Sequence, residues 1–262
     1  MLYYIIILYK TDEGNECMGN SMMKCRVLIM IAAYNEEANI EQVVELLQRD
    51  YPQYDYVIIN DGSTDHTLER IQRRGYNYIS LPINLGIGGA IQTGYRYAKE
   101  YNYDIAVQMD GDGQHDPAYI DDLIRPIVEN QADYCVGSRF LKKEGFQSSG
   151  VRRVGIHLLS VLIHVLTMYK IYDVTSGFRA VNRKFIEIYA DDYPDDYPEP
   201  KALVDAVMRR GRICEIPVIM RERAGGISSI NWGRSIYYMI KVSLDIILCR
   251  VSYGIRREKS HQ

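Results

Sequence analysis

The sequence predicts an α/β fold with a mostly parallel central sheet and helices on both faces. Three observations carry this. Val27 to Ala32, Tyr56 to Ile59 and Ile105 to Met109 are apolar runs of strand length without an alternating polar face, as in strands buried on both sides. Helical patterns separate the first two from each other and from a weaker strand over Tyr76 to Ser80, and this β-α-β-α-β order implies right-handed crossovers and a doubly wound sheet. Each run also ends abruptly in polar residues: Tyr34-Asn35-Glu36, Asn60-Asp61 and Asp110-Gly111-Asp112. Ligands of such sheets bind beyond the carboxyl ends of the strands.

The chain has 262 residues, enough for one full core with an appendage. A net charge of −3 gives no electrostatic footprint for nucleic acid. The five cysteines, Cys17, Cys25, Cys135, Cys214 and Cys249, are scattered without a CxxC, which points to reduced thiols. Residues 1–22 are expected to lie outside the fold: Leu2 to Leu8 is too short to span a bilayer, and a polar stretch follows it.

In order, Asn35 is the expected N-cap of a first helix in which Ile40, Val43, Val44 and Leu47 recur at helical spacing up to Arg49. The turn Asn60-Asp61-Gly62-Ser63-Thr64-Asp65 caps a second helix from about His66, and Tyr76 to Ser80 is a weaker strand. Asn84-Leu85-Gly86-Ile87-Gly88-Gly89 leads into a helix with Ile91, Gly94, Tyr95 and Ala98 on one face. Ile91 stands where a dinucleotide fingerprint needs glycine. Two readings stay open here: a helix start close to a nucleotide's anionic groups, or glycines that let the helix pack tightly.

Ile120 to Glu129 reads as a helix and Tyr134 to Gly137 as a strand. The loop from Leu141 to Gly150 is flanked by Arg139, Arg152 and Arg153, whose guanidinium forks suit phosphate oxygens. Val154 to Tyr172 is strongly apolar but interrupted by His157, His164 and Lys170, a poor membrane span. Asp173 to Ala180 is a polar turn before another strand. Asp191 to Pro200, with three prolines, is an expected loop, Ala202 to Arg210 a short helix and Ile213 to Met220 a strand. Ile236 to Tyr253 is an apolar helix followed by Arg256, Arg257 and Lys259. It either lies in a membrane interface or docks on the core.

The chemistry concentrates at Asp110. Six aspartates (Asp104, Asp110, Asp112, Asp116, Asp121, Asp122) fall in one stretch without a Lys or Arg among them. A divalent cation relieves that repulsion, and carboxylates suit Mg²⁺, Mn²⁺ or Ca²⁺. In extended backbone, Asp110, Asp112 and Gln114 share one face. An EF-hand loop is excluded, since His115 stands where it needs glycine and Asp121 where it needs glutamate. A metal that also grips a diphosphate is the sharper reading.

Together, Ala33-Tyr34-Asn35-Glu36, Asn60-Asp61-Gly62-Ser63-Thr64-Asp65, Asn84-Leu85-Gly86, Asp110-Gly111-Asp112-Gly113-Gln114-His115, Gly137-Ser138-Arg139 and Thr175-Ser176-Gly177-Phe178-Arg179 resemble the family-2 glycosyltransferases of GT-A fold, over about Val27 to Ile230. The motifs look most like those of the dolichyl- and polyprenyl-phosphate sugar transferases. The resemblance implies a Rossmann-like GT-A domain over 23–230 and a C-terminal amphipathic segment over 231–262. It implies an inverting, metal-dependent enzyme that moves sugar from a UDP-sugar or GDP-mannose to a polyprenyl phosphate or cell-surface glycan. Ala33, Tyr34, Glu36 and Gly86 then belong to the nucleotide pocket, and Asp61 meets base or ribose. Asp110, Asp112 and Gln114 hold Mg²⁺ or Mn²⁺, with Asp112 central to catalysis. Arg139, Arg152 and Arg153 meet phosphates, and Ser176 lies on the acceptor side. An ionised lipid phosphate needs no base; a hydroxyl acceptor does, and Glu199 is then its candidate.

Peripheral attachment to the cytoplasmic face of a membrane through Ile236 to Lys259 is expected, with a small membrane-protein partner or a homo-oligomer in support. Two rival readings are weighed. A sugar nucleotidyltransferase needs a Gly-rich basic loop after the first strand, which this chain lacks. Against a non-catalytic nucleotide-sugar binder stand the intact Asp110 and Asp112.

Overall fold

The computed structural model describes residues 25–142, 150–221 and 241–251; the expectations for 1–22, 222–240 and 252–262 lie outside the described residues. The apolar runs form β1 (Val27–Ala33), β2 (Asp55–Asn60) and β4 (Ile105–Asp110), with the short β3 (Tyr78–Ser80) beside β2. Between them lie α1 (Ile40–Asp50), α2 (Thr67–Arg73) and α3 (Gly86–Glu100). There follow α4 (Ile120–Val128), β5 (Tyr134–Ser138), α5 (Gly150–Thr167), β6 (Arg179–Asn182), α6 (Arg183–Asp191), α7 (Pro198–Met208) and β7 (Ile213–Pro217). Residues 241–251 form a further helix, α8.

The sheet order is β3-β2-β1-β4-β6-β5-β7. All pairings are parallel except those of β6, which runs antiparallel to β4 and β5. Strand alternation divides the core in two. Ile29, Ile31, Val107 and Met109 pack with residues of α1 and α4, while Leu28, Met30, Val57 and Ala106 pack with residues of α3, α6 and α7. Both faces are therefore dry, as the unbroken apolar runs require. Register aligns the strand ends: Ala33 pairs with Asn60, and Ala32 with Asp110.

Three expectations need correction. Asn35 does not cap α1, which starts at Ile40 after Asn39; Asn35 takes a left-handed φ of 55° and binds the neighbouring loop instead. The backbone is not extended through Gln114. β4 stops at Asp110, Gly113 has a φ of 77°, and the Asp112 carboxylate accepts from the Gln114 N–H at 3.0 Å, closing a turn. The loop expected through Pro200 ends earlier, because Pro198, with its φ preset for a first turn, opens α7. One element has no counterpart among the expectations: α6 follows β6 directly, capped by Asn182, whose side chain accepts from the Phe185 N–H.

Val242 and Ile246 are buried in the same core cluster as Ile156, Leu159 and Ile163 of α5, so α8 docks on the core by one face. Its Leu244, Leu248 and Val251 stay exposed.

Candidate active site

The candidate site is built from loops at one end of the parallel strands. After β1, Tyr34 is exposed and Glu36 is buried, its carboxylate accepting from the Asn39 side chain at 2.8 Å. The Asn35 N–H donates to the Ser63 hydroxyl at 3.0 Å, and the Asn35 side-chain oxygen accepts from the Thr64 N–H at 2.8 Å. The Glu36 N–H donates to the Thr67 hydroxyl. These bonds knit the loops after β1 and β2 into one wall, with Ala33 at its base.

Asp61, nearly inaccessible, accepts from the Leu85 N–H at 2.7 Å and so fixes the start of α3. Burial pushes its carboxyl above the ordinary range, against the backbone donors that pull it down. Glycine is required beside it: at Gly62 φ is 62°, and a Cβ there would lie 2.7 Å from the Asn84 nitrogen. Gly86 is the first residue of α3, with φ 79° and its N–H donated to the Asn84 side chain. The two readings of the glycine stretch thus divide by position. Gly88 serves packing, since a Cβ there would collide with the Pro194 and Asp195 carbonyls, whereas Gly86 stands at the helix start beside Asp61.

Asp110 ends β4 with its side chain partly exposed. Its N–H donates to His115 Nδ1 at 3.0 Å, and His115 Nε2 lies 3.6 Å from its carboxylate. Because Nδ1 accepts, the ring proton resides on Nε2, facing Asp110. His115 is buried, stacked on Phe178 with ring centroids 4.9 Å apart, and burial pushes its pKa down to about 4, which keeps the ring neutral. The role of His115 is not legible from the sequence, although it is the single imidazole within the aspartate run.

Gln114 turns toward the chain around Arg221: its carbonyl accepts from the Arg221 N–H at 2.9 Å, and its amide donates to the Arg221 carbonyl at 3.4 Å. Among the described residues, no three His, Cys, Asp or Glu side chains gather as a metal cage. Asp110 and Asp112 nevertheless fit a hard divalent ion, because such ions are commonly held by one or two carboxylates, with substrate phosphates and water completing the shell. Gly177 lines the same place: a Cβ there would stand 3.3 Å from an Asp110 carboxylate oxygen.

Arg139 is buried and forked onto Asp173, with Nε and Nη2 each 2.7 Å from a carboxylate oxygen and its own N–H at 3.0 Å. Asp173 is fully buried, and Glu215 accepts the N–H groups of Tyr172 and Asp173 at 2.8 Å each. The clamp closes the base of the excursion that carries α5. Arg153 lies exposed on α5; the Arg152 side chain is outside the described residues. Ser176 is buried, its hydroxyl accepting from the Phe178 N–H and its carbonyl from Arg179 Nε at 2.8 Å. Arg179, also fully buried, donates to the Tyr134 hydroxyl and to the Glu199 carbonyl. Glu199 is half-buried in the first turn of α7, where loss of solvent pushes its carboxyl up despite the nearby Arg179 charge.

Comparison with known proteins follows the same outline. A UDP-N-acetylglucosamine–dolichyl-phosphate N-acetylglucosaminyltransferase of Methanococcus voltae is 33% identical over 213 residues, 73% of this chain and 84% of that one. A polyprenol monophosphomannose synthase of Mycolicibacterium smegmatis is 25% identical, covering 83% of this chain and 86% of its own. The fold is shared with the glucosyl-3-phosphoglycerate synthase of Mycobacterium tuberculosis, solved with Mn²⁺ and UDP-glucose, at a TM-score of 0.63 and 21% identity over 88% of this chain and 79% of that one. The family model for glycosyl transferase family 2 matches residues 28–189, from β1 into α6. With most of the chain matched and every strand-end motif inside that span, the chain belongs to glycosyl transferase family 2.

Proposed function

We propose that this transferase moves a sugar, with inversion, from a nucleotide-sugar donor to a polyprenyl phosphate. The observation that supports this most is the alignment of Asp110 with the ends of β1 and β2, joined to relatives named for dolichyl- and polyprenyl-phosphate acceptors. Ala33, Tyr34, Glu36, Asp61 and Gly86 form the donor wall, for UDP-sugar or GDP-mannose. Asp110 and Asp112, with Gln114, would hold Mg²⁺ or Mn²⁺. Such an ion, when bound, neutralises charge on the departing diphosphate. The neutral His115 backs the Asp110 carboxylate without competing for it as a cation. Arg139, Arg152 and Arg153 are assigned to phosphates of donor or acceptor, where positive charge offsets the anionic charge that grows on the departing diphosphate; Ser176 lies on the acceptor side.

An acceptor phosphate is already ionised and attacks without a base. The glycan reading needs a hydroxyl deprotonated, and Glu199, with its raised pKa, is the group that favours it. Attachment is peripheral, at the cytoplasmic membrane face, through the segment from Ile236 to Lys259, with a membrane-protein partner or a second copy in support. Among the described residues, no helix is long and apolar enough to cross a bilayer. Incubation with a panel of nucleotide sugars, Mn²⁺ or Mg²⁺, and short polyprenyl phosphates should give one glycosylated lipid phosphate. Asp112→Ala should abolish it. Metal-independent turnover, or a fully active Asp112→Ala, refutes the assignment.

A further inference from the structure

The helix α5 is apolar on two opposite faces. Ile156, Leu159 and Ile163 are buried in the core. Val154, Leu158, Val161 and Val165 recur at spacings of four and three on the other side, and all four are exposed, at 62%, 59%, 46% and 67%. At about 100° per residue these positions form one outward stripe. A helix used only to cover a sheet has no need of that second stripe. The exposed Met168, Tyr169 and Tyr172 follow at its C-terminal end, with the Lys170 ammonium 4.9 Å from the centre of the Tyr172 ring. Beside it, α8 exposes Leu244, Leu248 and Val251, and Arg250 Nε donates to the Leu166 carbonyl at 3.0 Å, so the two helices touch.

Charge selects the occupant. From Gly150 to Tyr172 there is no acidic residue. Arg153, His157 and His164 line one flank of the stripe, all exposed, and Lys170 stands at its end. An apolar stripe with a polar flank, the cations Arg153 and Lys170 near its two ends, and terminal tyrosines matches the boundary between acyl chains and anionic headgroups. Two copies laid face to face would oppose like charges.

We propose that the outward face of α5, with α8 alongside, seats on an anionic lipid surface. This deepens the lipid-phosphate reading and rests on it for its consequence: Arg139 and Asp173, at the roots of the excursion, tie the seated helix to the strand ends that carry the cleft. The seat adds the α5 face to the proposed attachment through Ile236 to Lys259, with which it shares α8.

The test is co-sedimentation of the full chain with large vesicles of phosphatidylcholine, with and without phosphatidylglycerol. The native protein should bind the mixed vesicles and much less the neutral ones. The triple variant Val154→Gln, Leu158→Gln, Val165→Gln should lose about tenfold or more in partitioning, with circular dichroism and melting temperature retained. Should the triple variant fold poorly, Leu158→Gln and Val165→Gln alone should each lose about twofold or more. Equal binding by native and variant proteins overturns the proposal, as does a native protein that ignores vesicles. So does a native dimer that the substitutions dissolve without any vesicle binding, which would assign the face to a second copy. Sugar transfer to a short water-soluble polyprenyl phosphate separates the two claims. Vesicle binding without transfer leaves the seat standing and refutes the acceptor.

Discussion

Replacing Asp173 should be among the most destabilising single changes in this fold. The carboxylate is fully buried and receives three donors from Arg139, whose side chain is itself only 7% exposed. Removal, as in Asp173→Leu, strands a guanidinium in a dry place, which costs about 3–5 kcal/mol. For a domain of this size that corresponds to a fall in melting temperature of roughly 6–20 °C. Substituting both partners, Arg139→Met with Asp173→Leu, should recover most of the loss, because an apolar pair of similar volume is often neutral relative to a buried ion pair. Thermal and urea unfolding of Arg139→Met, Asp173→Leu and the double variant close the cycle, with an expected coupling of at least about 2 kcal/mol. If the losses simply add, or if Asp173→Leu melts within about two degrees of the native chain, the clamp is not what holds the excursion. Turnover adds a second reading: if Arg139 acts on phosphate, the stable double variant stays inactive.

Gly88→Ala should cost about 1–3 kcal/mol in urea unfolding, since the new carbon would be driven into the Pro194 and Asp195 carbonyls just ahead of α7; native-like stability would mean that this contact yields easily. Glu199→Gln should be more stable than the native chain at pH 7 and equal to it near pH 3. The native carboxyl binds its proton more tightly when folded, so its penalty appears as pH rises from about 4.5 through the raised pKa; urea midpoints at the two pH values check the sign. On a polyprenyl-phosphate acceptor the same variant should retain turnover. Asp133→Ala should lose about 1–2 kcal/mol at pH 7. Hydrogen bonds from Arg212 hold that carboxyl below its ordinary range, so the stabilisation is present above about pH 3.8 and fades as pH falls through the lowered value; acid titration of both proteins checks it.

Much of the sheet is legible in the sequence because β1, β2 and β4 are long and apolar on both faces. β6 is harder. It is four residues long, and its first side chain is a buried arginine that, besides the local Ser176 carbonyl, meets Tyr134 and Glu199, 45 and 20 residues away. No local pattern encodes that. The strand-end motifs locate Asp61, Asp110 and Asp112 because glycine and aspartate mark turns. The grip of Asp173 on Arg139 joins residues 34 apart, and the place of His115 behind Asp110 depends on stacking with Phe178, so both require tertiary contacts. Asn35 runs against expectation because a capping residue type also tolerates left-handed backbone.

The reversed direction of β6 has a structural consequence. Arg179, at its beginning, pairs with Gln108 near the end of β4 and with Val136 near the middle of β5. The chain can therefore leave β5 after Ser138 and re-enter the sheet at Arg179, at the same end of the strands. A change in the length of the intervening loops need not rethread the sheet, whereas Ile156, Leu159 and Ile163 keep α5 tied to the core.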